Sequence, residues 1–193
     1  MSFLNKLASK AAKTASGAAK TAAEFAAIGS ETIVFEEFPM NFEALKARPE
    51  SDLKDPYAVA ALTVAALCVY PEDKDAAIEM LNFLKGPSPL SENDKRFLKD
   101  RFSDKDYVPA SYFAGSKPEN NYTPDEPFSI TVKAHPYSVT EENYISLQLV
   151  SGGADSPRAI TLRCKPSTGE WFAWNYEGLL MGIRVPVAEN PWA

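Results

Sequence analysis

With 193 residues, 45% of them hydrophobic and 24% charged, the chain has an ordinary globular composition and can bury roughly 70% of the surface its unfolded form exposes. That argues against intrinsic disorder and against a fold that needs disulfides or metal. A formal net charge of −6 argues against nucleic acid as a partner, because such binding rests on phosphate neutralisation by clustered Lys and Arg.

The charge is uneven. Residues 1–28 hold Lys6, Lys10, Lys13 and Lys20 against Glu24, a net of +3, so the remainder carries −9. On a helical wheel Leu4, Leu7, Ala11, Ala15, Ala18, Ala22 and Phe25 share one side, and the lysines and Glu24 share the other. Residues 3–28 are therefore expected as one helix, and residues 1–30 as a separate basic, alanine-rich amphipathic unit ended at Gly29. Recurrent lysines interrupt any secretory apolar run, and no stretch approaches the ~20 apolar residues of a membrane span, so a cytoplasmic location is expected. Phe3, Leu4, Leu7 and Phe25 with Lys6, Lys10, Lys13 and Lys20 form a contact face with two readings. An alanine stripe suits close packing on the acidic body or on a second chain; the lysines suit weak, reversible contact with an anionic membrane.

The remainder, 31–193, reads as one domain with a helical part at 41–102 and a β part at 127–185. Thr32 to Phe38, rich in β-branched and aromatic residues, predicts a strand. A short helix is expected at Phe42 to Ala47, ended before Pro49. Asp55-Pro56 supplies an N-cap and a first-turn proline for a helix over Tyr57 to Val69 that is apolar on nearly every side, hence central and buried. Pro71 breaks it, and a second helix runs from Glu72 to Lys85 with Ala77, Ile78, Leu81 and Leu84 inward, stopped by Gly86-Pro87. Ser91 with Asp94 forms a capping box that opens a third helix through Phe102. Residues 103–126 form a long irregular connection whose aromatics imply that it is packed down.

From Phe128 the period changes to two: Phe128, Ile130 and Val132; Ile145, Leu147 and Leu149; Ile160, Leu162 and Cys164. Pro166 to Gly169 turns into a fourth strand at Glu170 to Asn175, and Leu179 to Arg184 is a fifth strand or a short helix. The expected class is α+β, with N-terminal helices packed on a C-terminal antiparallel β-meander.

Little in the sequence is set up for chemistry. Cys68 and Cys164 lie in apolar patterns without metal-ligand spacing, so no cofactor or metal site is expected. His135 falls on the polar side of the first meander strand; a hydrolase would pair it with Ser151 or Asp155. Ser151 to Arg158 is glycine-rich but joins two strands instead of opening a helix, so a hairpin loop is the simpler reading, with Asp155 near Arg158. Arg158, Arg163, Arg184, Trp171, Trp174 and Tyr176 have the composition of a binding hot spot, although the phase of the strand at 170–175 is open. The leading expectation is a non-enzymatic binding or scaffold module using these residues to meet a protein partner.

Asp55-Pro56-Tyr57, Met80 to Pro87, Ser111-Tyr112-Phe113-Ala114-Gly115, Asn121-Tyr122-Thr123-Pro124, Gly153 to Arg158, Trp171-Phe172, Ile183 to Pro186 and Pro191-Trp192-Ala193 carry a resemblance. From Asp55 onward the chain resembles an uncharacterised bacterial domain-of-unknown-function family associated with anaerobic Gram-positive bacteria. The resemblance implies no activity and does not extend to the basic first 30 residues.

Overall fold

A computed structural model describes residues 21–192. The expected contacts of Phe3, Leu4, Lys6, Leu7, Lys10, Lys13 and Lys20 lie outside the described residues. At Thr21 the backbone is extended, and the side chain caps a helix, α1 (Ala22–Ala26), in a reciprocal capping box with Glu24. The expected helix over 3–28 does not run unbroken through Thr21: a Thr with Glu three residues on satisfies two orphan amide donors and starts a helix. Nor is α1 an appendage, because Ala22 and Phe25 are buried in the domain core and the Phe25 ring meets Trp171 edge-on at 5.7 Å.

Gly29, at φ +83°, turns the chain into β1 (Ser30–Phe35). This strand stops three residues short of the predicted Phe38. It pairs antiparallel with β2 (Phe128–Lys133), from Ser30 opposite Lys133 to Phe35 opposite Phe128. The sheet therefore draws a strand from the N-terminal part in addition to the C-terminal meander.

Between these strands lie the helices. α2 (Phe42–Lys46) is capped by Asn41, and a 3-10 turn at Pro49–Asp52 leads to Leu53 in a left-handed conformation. α3 (Pro56–Val69) starts where Asp55 accepts the Tyr57 amide at 2.8 Å. All but Cys68 of its residues are buried, and it contacts β1, β2 and the three longer strands that follow in the chain. An all-round apolar helix fits only inside a fold, and here the sheet wraps it. α4 (Lys74–Lys85) begins two residues later than expected because Asp73 caps the Ala76 amide. It buries Met80 alongside Ala77, Leu81 and Leu84, while Ile78 is only half-buried. α5 (Glu92–Arg101) opens with the Ser91/Asp94 capping box.

The connection from 103 to 127 is pinned by buried Val108, Tyr112, Phe113 and Tyr122. After β2 come a three-residue strand β3 (Val139–Glu141), β4 (Tyr144–Leu149), β5 (Arg158–Lys165) and β6 (Glu170–Asn175). The antiparallel order is β1-β2-β4-β5-β6, with β3 beside the start of β4. β3 has no buried residue, which is why no apolar alternation marked it. Residues Glu177–Leu180 form a 3-10 turn, so the candidate at Leu179 to Arg184 is helical only at its first two residues and is not a strand. Ile33, Ile130, Val132, Leu147, Leu162 and Trp171 point to α3, and the alternate residues form the sheet's outer face. Among the described residues no helix is long and apolar enough to cross a membrane.

Candidate functional site

The candidate residues divide by strand phase. Trp171 is fully buried with its backbone amide donating to Leu53 O at 2.7 Å, and Tyr176 is buried as well. Neither can meet a partner. Burial also holds the Tyr176 phenol well above its ordinary pKa. Phe25 belongs to the core too, against its expected role in membrane or partner contact.

Arg158 is spent internally. Its Nε donates to Met181 O at 2.9 Å, Nη2 to Gly182 O at 2.7 Å and Nη1 to Ser156 O at 2.8 Å. This guanidinium ties the end of the 150–158 loop to the 181–182 turn, using its planar fork on three carbonyls. Asp155 turns away from it and faces Arg184 at 3.7 Å, both side chains being largely exposed. Such a pair contributes little.

The glycine-rich loop is a packed junction. Ser151 Oγ donates to Ser111 Oγ at 2.7 Å, Gly152 N to Ser111 O, and Arg184 N to Gly153 O. Tyr112 Oη donates to Leu179 O and Tyr122 Oη to Arg184 O, at 2.7 and 2.6 Å. A Cβ on Gly152 would lie 1.9 Å from Ser116 O, and one on Gly153 would lie 2.0 Å from Tyr122 Oη. No space is left for a phosphate. The stretches around Ser111, Tyr122, Gly153 and Ile183, which carried the family resemblance, thus meet at one structural joint.

His135 stands apart from Ser151. It is exposed in the turn after β2, where its amide donates to Ser138 Oγ and its carbonyl accepts the Ser138 amide. Lys133 stands opposite Gln148, and Ser138 O takes the Ser146 amide. Ser151 lies off the other end of β4, about five residues or roughly 16 Å along the strand. Its hydroxyl is buried against Ser111. Proton transfer needs hydrogen-bond reach, which His135 and Ser151 do not have in this arrangement. Both cysteine thiols are held above their ordinary pKa by burial. Among the described residues no group of three His, Cys, Asp or Glu side chains could hold a metal.

What remains is on the outer face at the β4–β6 end. Arg163, directly opposite Tyr144, places its guanidinium 4.9 Å from the Trp174 ring centroid and 5.3 Å from that of Tyr144. The two rings meet edge-on at 5.8 Å, and Trp174 keeps 44% of its surface exposed. Beside them, the turn at Gly86 presses on the Phe172 ring and leaves a groove of about 240 Å³ lined by Lys85, Arg163 and Lys165 with Phe172 and Trp174. Among the described residues no carboxylate lines it. Strand phase pointed to Arg163; Tyr144 was overlooked although it alternates with Ser146 and Gln148, and Lys85 arrives from the end of a helix.

A second, larger groove of about 800 Å³ opens beside β1, between Glu31 to Val34 and the Pro49–Asp55 stretch. Glu31, Glu50, Asp52 and Asp55 line it over a floor that includes Phe25 and Ala58. Asp55 and Glu31 add to burial in raising the pKa of nearby Tyr57.

No curated protein and no solved structure matches the chain. A family model described as a domain of unknown function, DUF6935, matches residues 37–187, which take in the outer-face cluster, the packed joint and all but the first strand of the sheet. The chain belongs to that family.

Proposed function

We propose that this protein is a non-enzymatic binding module that takes an acidic segment of a partner protein on the outer face of its sheet, across Tyr144, Arg163 and Trp174. One observation carries this reading. On a chain of net charge −6, a single groove gathers Lys85, Arg163 and Lys165 with no carboxylate among the described residues, next to an exposed tryptophan. Arg163 is held between two rings, so little side-chain entropy remains to be lost on binding. Trp174 offers a flat, half-exposed surface of the kind that dominates interface energetics. The three cations favour carboxylates, and the aromatic neighbours favour a partner with an apolar or aromatic residue among them.

Fluorescence titration with an acidic, aromatic-containing peptide and with its Gln/Asn counterpart tests this. Arg163→Ala and Trp174→Ala are each expected to weaken acidic-peptide binding about tenfold or more, by the magnitudes typical of hot spots. Arg184→Ala should leave it unchanged. Equal binding of the neutral peptide, or affinity unaltered in both variants, rules the reading out.

A further inference from the structure

The 800 Å³ groove beside β1 and the basic segment at 1–20 are complementary in three independent respects. The segment holds Lys6, Lys10, Lys13 and Lys20 with no Asp or Glu, a formal +4; among the described residues the groove presents Glu50, Asp52 and Asp55 against Lys54. Lys54 is itself engaged with Thr168 O. The segment also carries Leu4 and Leu7, and the groove has an apolar floor in Phe25 and Ala58. Finally, the segment ends one residue before Thr21, the cap of the helix whose Phe25 forms part of that floor, so the tether is short.

We propose that residues 1–20 dock into this acidic groove of their own chain, through Lys6, Lys10 and Lys13 against Glu50, Asp52 and Asp55. A short tether supplies an effective concentration on the order of millimolar, so an intrinsic Kd in that range already fills the groove about half the time. Glu50 is suited to the role: one oxygen takes Arg48 at 3.0 Å, and Oε2 is sheltered with no partner among the described residues. Exposed charges are screened within about 10 Å at 0.1 M salt, so the docked state is salt-sensitive.

Carbodiimide coupling of the full chain, which joins lysine to carboxylate without a spacer, tests this when an equal mixture of ¹⁴N- and ¹⁵N-labelled protein is digested for mass spectrometry. The expected result is Lys6, Lys10 or Lys13 joined to Glu50, Asp52 or Asp55 in isotopically pure pairs. These pairs should fall at least fivefold at 1 M salt and in the Lys6→Glu/Lys10→Glu/Lys13→Glu variant. Isotopically mixed pairs would assign the groove to a second copy and overturn the proposal. So would couplings of these lysines to carboxylates outside the groove in place of those within it. The measurement leaves the Tyr144–Arg163–Trp174 face untouched, so it stands or falls separately from the proposed function.

Discussion

Arg158 and Arg163 sit five residues apart on β5 and have opposite roles, set by what surrounds each guanidinium. Arg158 satisfies the carbonyls of Ser156, Met181 and Gly182. Removing it leaves those partly covered acceptors without a donor, and hydrogen bonds from a charged group contribute about 1.5–3 kcal/mol. Arg158→Ala should lower unfolding free energy by about 2–3 kcal/mol, seen as a lower urea midpoint at constant slope. Arg163 touches only ring faces on the surface, so Arg163→Ala should stay within about 0.5 kcal/mol of the parent. Similar losses in both variants would remove the distinction. Alternation puts the two on opposite faces, Arg158 in phase with buried Ile160 and Leu162 and Arg163 with exposed Lys165, but residue type and phase alone do not name the distant carbonyls that hold Arg158. In β6 the difficulty was sharper: Trp171 and Trp174 stand on opposite faces, and with Phe172 also aromatic either phase looked apolar.

At the scale of elements, legibility followed the range of the interactions that define each one. α3, α4 and α5 could be read because their starts and stops are local: Asp55-Pro56, Asp73, Ser91 with Asp94, and Gly86. Strands β2, β4, β5 and β6 could be read because each alternates against one core. The partner of β1 could not, since nothing near Ser30 in the chain announces a strand at Phe128 to Lys133. α1 was misassigned for a related reason. Its wheel continues the pattern of the preceding alanines, but the Thr21 cap and the Phe25–Trp171 contact place it in the domain. Phe25→Ala should therefore cost about 3 kcal/mol or more, the usual penalty for emptying a buried aromatic site. A loss below about 1 kcal/mol in thermal or urea unfolding would return α1 to the status of an appended helix.

For the molecule as a whole, the joint built from loops 109–122, 150–158 and 179–186 binds the covering segments to the sheet through tyrosine hydroxyls. Burial is the main cause of the raised pKa of Tyr122, pushed up to about 12, and Tyr112 is shifted in the same direction. A folded pKa above the unfolded value of 10 means that stability is complete below pH 10 and drains away as pH rises through about 12. Tyr122 then loses the proton that it donates to Arg184 O. Unfolding free energy measured from pH 9 to 12 should fall along this course. Tyr122→Phe should begin lower and fall less; an identical slope in the variant would show that other groups control alkaline unfolding.

The pairing of Ser30 with Lys133 spans about a hundred residues, and during synthesis this separation becomes time. β1 leaves the ribosome early and must wait while the whole helical half is made before β2 exists, on the order of five to twenty seconds at 5–20 residues per second. The loop that closes this pair is long, and contacts of such high order form late. The helices, whose contacts are nearby, can assemble around α3 in the meantime. The newborn protein thus passes through a stage in which its first strand is an unclaimed edge, when chaperones or neighbouring nascent chains have their best opportunity to seize it.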